Sequence, residues 1–111
     1  TLLSQQIVIP AGGSTLRFYH WIDSNELVCG GYDQAAMTVA GAQKFWTDLC
    51  TAKNTNGWVR ADVTLNEFVG QTVWLQFYVQ NDAVPNSSSN WYIDDVQLGT
   101  LASGQFVPVT R

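Results

Sequence analysis

Charge is scarce in this chain, and positive charge most of all. Five Lys and Arg stand against nine Asp and Glu in 111 residues, for a net charge of −4. The basic residues are spread from Arg17 to Arg111, so no stripe exists to neutralise phosphates, and nucleic acid is not an expected partner. The same deficit argues against an anionic membrane surface. Long apolar runs are also missing: none approaches the roughly 18 residues of a membrane span, and no membrane insertion is expected. The chain opens at Thr1 with neither Met nor a signal peptide, which reads as a mature fragment or a domain excised from a larger protein.

Histidine occurs once and cysteine twice. His20 lies mid-strand between Tyr19 and Trp21, where packing or surface display is a commoner role than general base. No Ser sits in a nucleophile elbow and no HExxH occurs, so the chain is not expected to be an enzyme. Cys29 and Cys50 are far from any CxxC redox or zinc pattern. A single disulfide is their simplest account, worth about 3 kcal/mol in the chain-entropy model. The alternative is a pair of buried thiols in a reducing compartment.

Aromatic residues are plentiful. Five Trp, five Phe and four Tyr accompany 13% charged residues, a composition that folds around a core. One core suffices at this length, with roughly 60% of the unfolded surface buried, so residues 1–111 read as a single domain. Turn residues recur every 8 to 15 positions or so, and no stretch keeps a 3.6-residue apolar period. The strands expected are 3–9, 15–22, 35–39, 44–47, 58–65, 71–80, 91–98 and 105–109. The pattern is therefore all-β with about eight strands.

The segment GWVRADVTLNEFVGQTVWLQFYV, a polar loop and then SNWYIDDVQL resemble the MAM-like jelly-roll domains attached to secreted bacterial peptidases of the immune inhibitor A type. The opening IVIPAGGSTLRFYHWI resembles their first hairpin, so the likeness spans most of residues 7–98. Related final strands occur in galactose-binding-like and carbohydrate-binding jelly rolls. The resemblance implies a jelly-roll β-sandwich of two antiparallel sheets, a secreted or cell-surface location and a non-catalytic accessory role in a protein that is itself a peptidase. Neighbouring domains of the same polypeptide, or a protein or glycan substrate, are the partners it implies.

Asp94 and Asp95 are consecutive in a strand, so a regular pleat points them to opposite faces and brings one toward the interior. In similar jelly rolls the first of these aspartates is a calcium ligand, which carries over to Asp94. Calcium takes six to eight oxygens, and the remaining carboxylates would come from Asp33 and Glu26 in the loop that also holds Asp23, Gly30 and Gly31. No acidic residue occurs in 1–9, where many relatives supply one. The alternative is that Asp94 accepts a backbone N–H or pairs with Arg17 or Arg60.

Alternation also places Tyr19 and Trp21 on one face of their strand, and Trp74 and Tyr78 on one face of theirs. If outward, these rings offer an aromatic platform for sugar rings or a neighbouring domain. Otherwise they lie under long loops such as 81–90 or beneath a covering layer. Three functions follow: a domain for packing or substrate attachment, a carbohydrate-binding module, and a structural or adhesion domain of a surface protein.

Overall fold

The computed structural model describes residues 3–11, 14–30, 32–81 and 88–109. Gly31, part of the turn after Pro10 and most of the 81–90 loop lie outside these residues. Eight strands form two antiparallel sheets of four: β1 (Leu3–Val8), β2 (Thr15–Ser24), β3 (Gln34–Val39), β4 (Ala42–Asp48), β5 (Val59–Thr64), β6 (Thr72–Gln80), β7 (Ser89–Gly99) and β8 (Phe106–Pro108). The first sheet runs β1-β6-β3-β4 and the second β5-β2-β7-β8. The sandwich architecture expected from the alternation is thus present. The nested pairs β2–β7 and β3–β6 carry the chain between the sheets in jelly-roll fashion.

Strand ends differ from the expected ones by a residue or two in most cases. β4 is longer than its sequence suggested, because pairing with β3 from Val39↔Ala42 to Gln34↔Asp48 holds residues with weak intrinsic strand preference. Ser89 and Asn90, expected in a loop, pair with Ser24 and Asp23 and so extend β7. Asn66–Phe68 forms one 3-10 turn before Gly70, which adopts a φ of 83° that suits glycine.

The core lies where the inner faces meet. Leu16, Phe18 and Ile22 of β2 face Val39 of β3 and Leu75 and Phe77 of β6, all fully or nearly fully buried. Phe18 packs edge-on against Phe77 (centroids 5.2 Å, planes at 79°), and Phe45 lies parallel to Trp91 (6.0 Å, 3°). Such pairs add about 0.5–1.5 kcal/mol to the burial of the rings.

His20 belongs to this inner layer. It is 7% exposed, its ring lies 5.3 Å from that of Phe45, and the Trp91 Nε1–H donates to its Nδ1 at 3.0 Å. Cys29 and Cys50 are joined in a disulfide with Cα atoms 5.4 Å apart, which replaces the buried-thiol alternative.

Candidate binding face

The even positions of β2 fill the core, so its odd positions, Arg17, Tyr19, Trp21 and Asp23, point outward. Register sets their neighbours. Trp21 pairs with Tyr92 of β7, while Tyr19 pairs with Arg60 of β5 and Asp94 of β7. Trp58, one residue before β5, turns its ring onto the other side of Trp21. The Trp58 and Trp21 centroids are 5.8 Å apart and those of Trp21 and Tyr92 6.3 Å, both edge to face. Two rings from β2 and β7 and a third from the residue before β5 therefore form a continuous row across the second sheet. Trp58 and Tyr92 at its ends are each 47% exposed, while Trp21 between them is half-buried.

Beside the row, β7 is irregular. Arg17↔Gln97 and Tyr19↔Asp94 span two steps on β2 but three on β7, which makes a β-bulge. Asp95 takes φ 57° there, and its N–H donates to Asp94 Oδ1 at 2.9 Å. The expectation that the pleat sends one aspartate inward is thereby corrected. The extra residue suspends the alternation, and both carboxylates are exposed. A depression of about 220 Å³ lies between Tyr19, Trp58, Asp94 and Asp95. A larger cleft of about 620 Å³ shares Trp58, Asp94 and Asp95 with it and reaches Leu3, Leu75 and Trp91 in the gap between the sheets.

The cations of this face are engaged elsewhere. The Arg17 Nε–H donates to Asp62 Oδ1 at 2.9 Å, and Arg60 Nε lies 3.7 Å from Asp62 Oδ2. The hydrogen bond from Arg17 holds the Asp62 carboxyl below its ordinary pKa and raises that of the guanidinium. Arg17 also lies 3.8 Å from the centroid of the Phe106 ring. Among the described residues neither Asp94 nor Asp95 has a cationic partner. Of the alternatives for Asp94, the backbone hydrogen bond is the one present.

Glu26 and Asp33 occupy a different place. Both are buried, at 8% and 2% exposure. Ser89 Oγ donates to Asp33 Oδ2 at 2.6 Å, and the Ser24 and Ser89 hydroxyls are 2.7 Å apart. The Glu26 N–H donates to Ser24 Oγ at 3.0 Å, and Glu26 Oε1 accepts the Val28 N–H at 3.3 Å. The fold brings both residues to the Ser24–Ser89 pair, Glu26 through its backbone N–H and Asp33 through its carboxylate, with the Cys29–Cys50 bridge closing the same segment. It does not bring Asp94 to them, because Ser89 and Asp94 are five residues apart on β7, roughly 16 Å at strand rise. The three carboxylates assigned to calcium do not converge as a set. The hydroxyls near Glu26 and Asp33 bond to one another and to the Asp33 carboxylate. Among the described residues no three His, Cys, Asp or Glu side chains form a metal-holding group.

The four rings expected to share a platform also divide. Tyr19 and Trp21 lie on the outer face of the second sheet, whereas Trp74 and Tyr78 belong to β6 in the first. Trp74 is exposed opposite Gln6, and Tyr78 lies opposite Ala36. That face continues as a polar ladder in which Thr38 donates to Gln76 and Gln76 to Ser4, each at 3.4 Å. The physical reason is topological: β2 and β6 are outward on opposite sides of the sandwich. Trp58 and Tyr92 take the places expected for Trp74 and Tyr78. Alternation alone put Tyr92 on the face of Asp94, but only the register of β7 against β2 brings it to Trp21.

No protein-family model, curated protein or solved structure matches this chain. His20, the one histidine, faces the core and not the cleft, and burial lowers its pKa from the ordinary 6.5. No helix among the described residues is long and apolar enough to cross a membrane.

Proposed function

We propose that this chain is a non-catalytic accessory domain of a secreted or cell-surface protein, and that it attaches its parent to substrate through the outer face of the second sheet. The observation carrying this reading is the contiguous row Trp58–Trp21–Tyr92, with an aromatic and acidic depression at its side. Contiguous apolar patches of this kind mark interaction surfaces. The Cys29–Cys50 bridge supports an oxidising compartment. The likeness of the 57–79 and 89–98 segments to accessory domains of secreted peptidases supports a peptidase as parent.

A carbohydrate ligand is the second reading, favoured by the exposure of Trp58 and Tyr92, whose faces suit sugar stacking. The test is retention on insoluble protein and on insoluble polysaccharide by the native domain, by a Trp58→Ala/Tyr92→Ala variant, and by Trp74→Ala on the opposite face. Attachment lost in the first variant and kept in the second, with both melting as the native domain does, supports the proposal. Unchanged attachment in the Trp58→Ala/Tyr92→Ala variant removes the second sheet from the binding role. The material that retains the native domain separates the two readings.

A further inference from the structure

We infer that the depression between Tyr19, Trp58, Asp94 and Asp95 captures an arginine side chain of a protein partner. This inference rests on the reading of the second sheet's outer face as the binding surface and names the chemistry recognised there. Its walls are two aromatic rings and two carboxylates. A guanidinium is the group that uses both at once: flat enough to lie on a ring, and carrying a fork of donors that matches carboxylate oxygens.

Charge selects a cation over a neutral ligand. The outward positions of this face carry two basic residues, Arg17 and Arg60, against Asp23, Asp62, Asp94 and Asp95. Both bases turn to Asp62, so Asp94 and Asp95 are left adjacent and uncompensated among the described residues. At the bulge both aspartates line this one depression, where a regular pleat would separate consecutive residues. A neutral sugar would leave both carboxylates without a cation, whereas a guanidinium brings one with donors that match their oxygens.

The same sheet already builds this arrangement once from its own residues. Arg17 lies 3.8 Å from the centroid of Phe106 while its Nε–H donates to Asp62 at 2.9 Å. Ring, guanidinium and carboxylate are thus combined one row away on β2. The depression presents ring and carboxylate without the arginine.

The experiment is a titration of the isotopically labelled domain with a capped Ala-Arg-Ala peptide, followed through the indole N–H signals of Trp58 and Trp21. Three comparison ligands are run beside it: the citrulline peptide, which keeps the shape and loses the charge, the lysine peptide, and a neutral oligosaccharide. Saturable shifts at Trp58 with the arginine peptide are expected. They should be absent with citrulline, weaker with lysine and reduced in high salt. An Asp94→Asn/Asp95→Asn variant should bind about tenfold more weakly or worse, since hydrogen bonds to charged groups are lost, with an unchanged melt.

Equal binding of the citrulline peptide, or full binding by the Asn variant, overturns the inference. Saturable shifts with the oligosaccharide and none with arginine overturn it in favour of a glycan and leave the binding face standing. Absence of shifts with every ligand, while Trp58→Ala/Tyr92→Ala still abolishes attachment, rejects arginine capture alone. Attachment indifferent to Trp58 and Tyr92 removes the reading on which the inference rests.

Discussion

His20 shows how one residue can be legible in role and not in consequence. Its place in an aromatic strand suggested packing over catalysis, and the structure gives that packing a protonation requirement. Nδ1 accepts the Trp91 N–H, so the imidazole must be neutral at that nitrogen. Burial lowers its pKa from 6.5, so over a window below pH 6.5 the unfolded chain binds a proton that the folded one refuses. His20 therefore contributes stability that is complete above 6.5 and erodes as pH falls toward the folded pKa. Asp62 and Glu67 are shifted downward by their cationic partners, and their contributions fade only as pH drops through the carboxylate range. Between pH 7 and 5 the decline in melting temperature should belong to His20. A His20→Leu variant leaves the Trp91 N–H without its acceptor and should lose about 1–3 kcal/mol at pH 7. Its melting temperature should be flat over that interval, and a slope equal to the native one would remove His20 as the cause. Glu26 and Asp33 make a second residue-scale case. Their hydrogen bonds are served by Ser89, Ser24 and Val28, so chelator should leave the melt of the domain unchanged. A chelator-sensitive melt would return calcium to this end of the sandwich.

At the scale of elements, the alternation of β2 and β6 was readable because one face of each strand meets the core, and a one-residue slip would expose it. The Asp94–Asp95 step was not readable, because a bulge depends on how many residues the partner strand places opposite it. Two bland roles come with that bulge. It twists β7 where β8 stops pairing, beyond Gln97, and it puts charge along an edge open to other chains. Asp95 at φ 57° tolerates a left-handed conformation better than a β-branched residue does. Asp95→Gly should melt at or above the native temperature, whereas Asp95→Val should lose about 1–2 kcal/mol. Equal melts for the two would show that the bulge relaxes when its residue changes. Gly99, where β8 begins to pair, is the other constrained position. A Cβ there would meet Phe106 at 2.7 Å and the backbone carbonyl of Gln105. Gly99→Ala should therefore cost about 1–3 kcal/mol through overpacking, and release Phe106 from Arg17.

For the whole molecule, composition and turn spacing announced two sheets and one core, because burial of alternating faces leaves few other architectures for strands of this length. What composition could not announce was which outward faces share a side. Tyr19 and Trp21 are separated from Trp74 and Tyr78 by the full thickness of the sandwich, and only the strand order assigns Trp58 and Tyr92 to the former. The cysteines join these scales. Their bridge spans a sequence separation of 21 and ties the long connection between β2 and β3 to Cys50, two residues past the end of β4. That connection carries Glu26 and Asp33 and, among its described residues, no regular element, so in the unfolded chain the bridge alone limits it. Chain entropy assigns the crosslink about 3 kcal/mol, equivalent to a fall in melting temperature of roughly 10 °C or more for a domain of this size. A Cys29→Ala/Cys50→Ala variant should show that fall and keep the dispersion of the Trp58 and Trp21 indole signals, since the aromatic row is built on β2, β5 and β7 without contribution from the bridged loop. Loss of both together would mean that the loop supports the second sheet as well as closing the first, and would extend the binding face to residues 25–33.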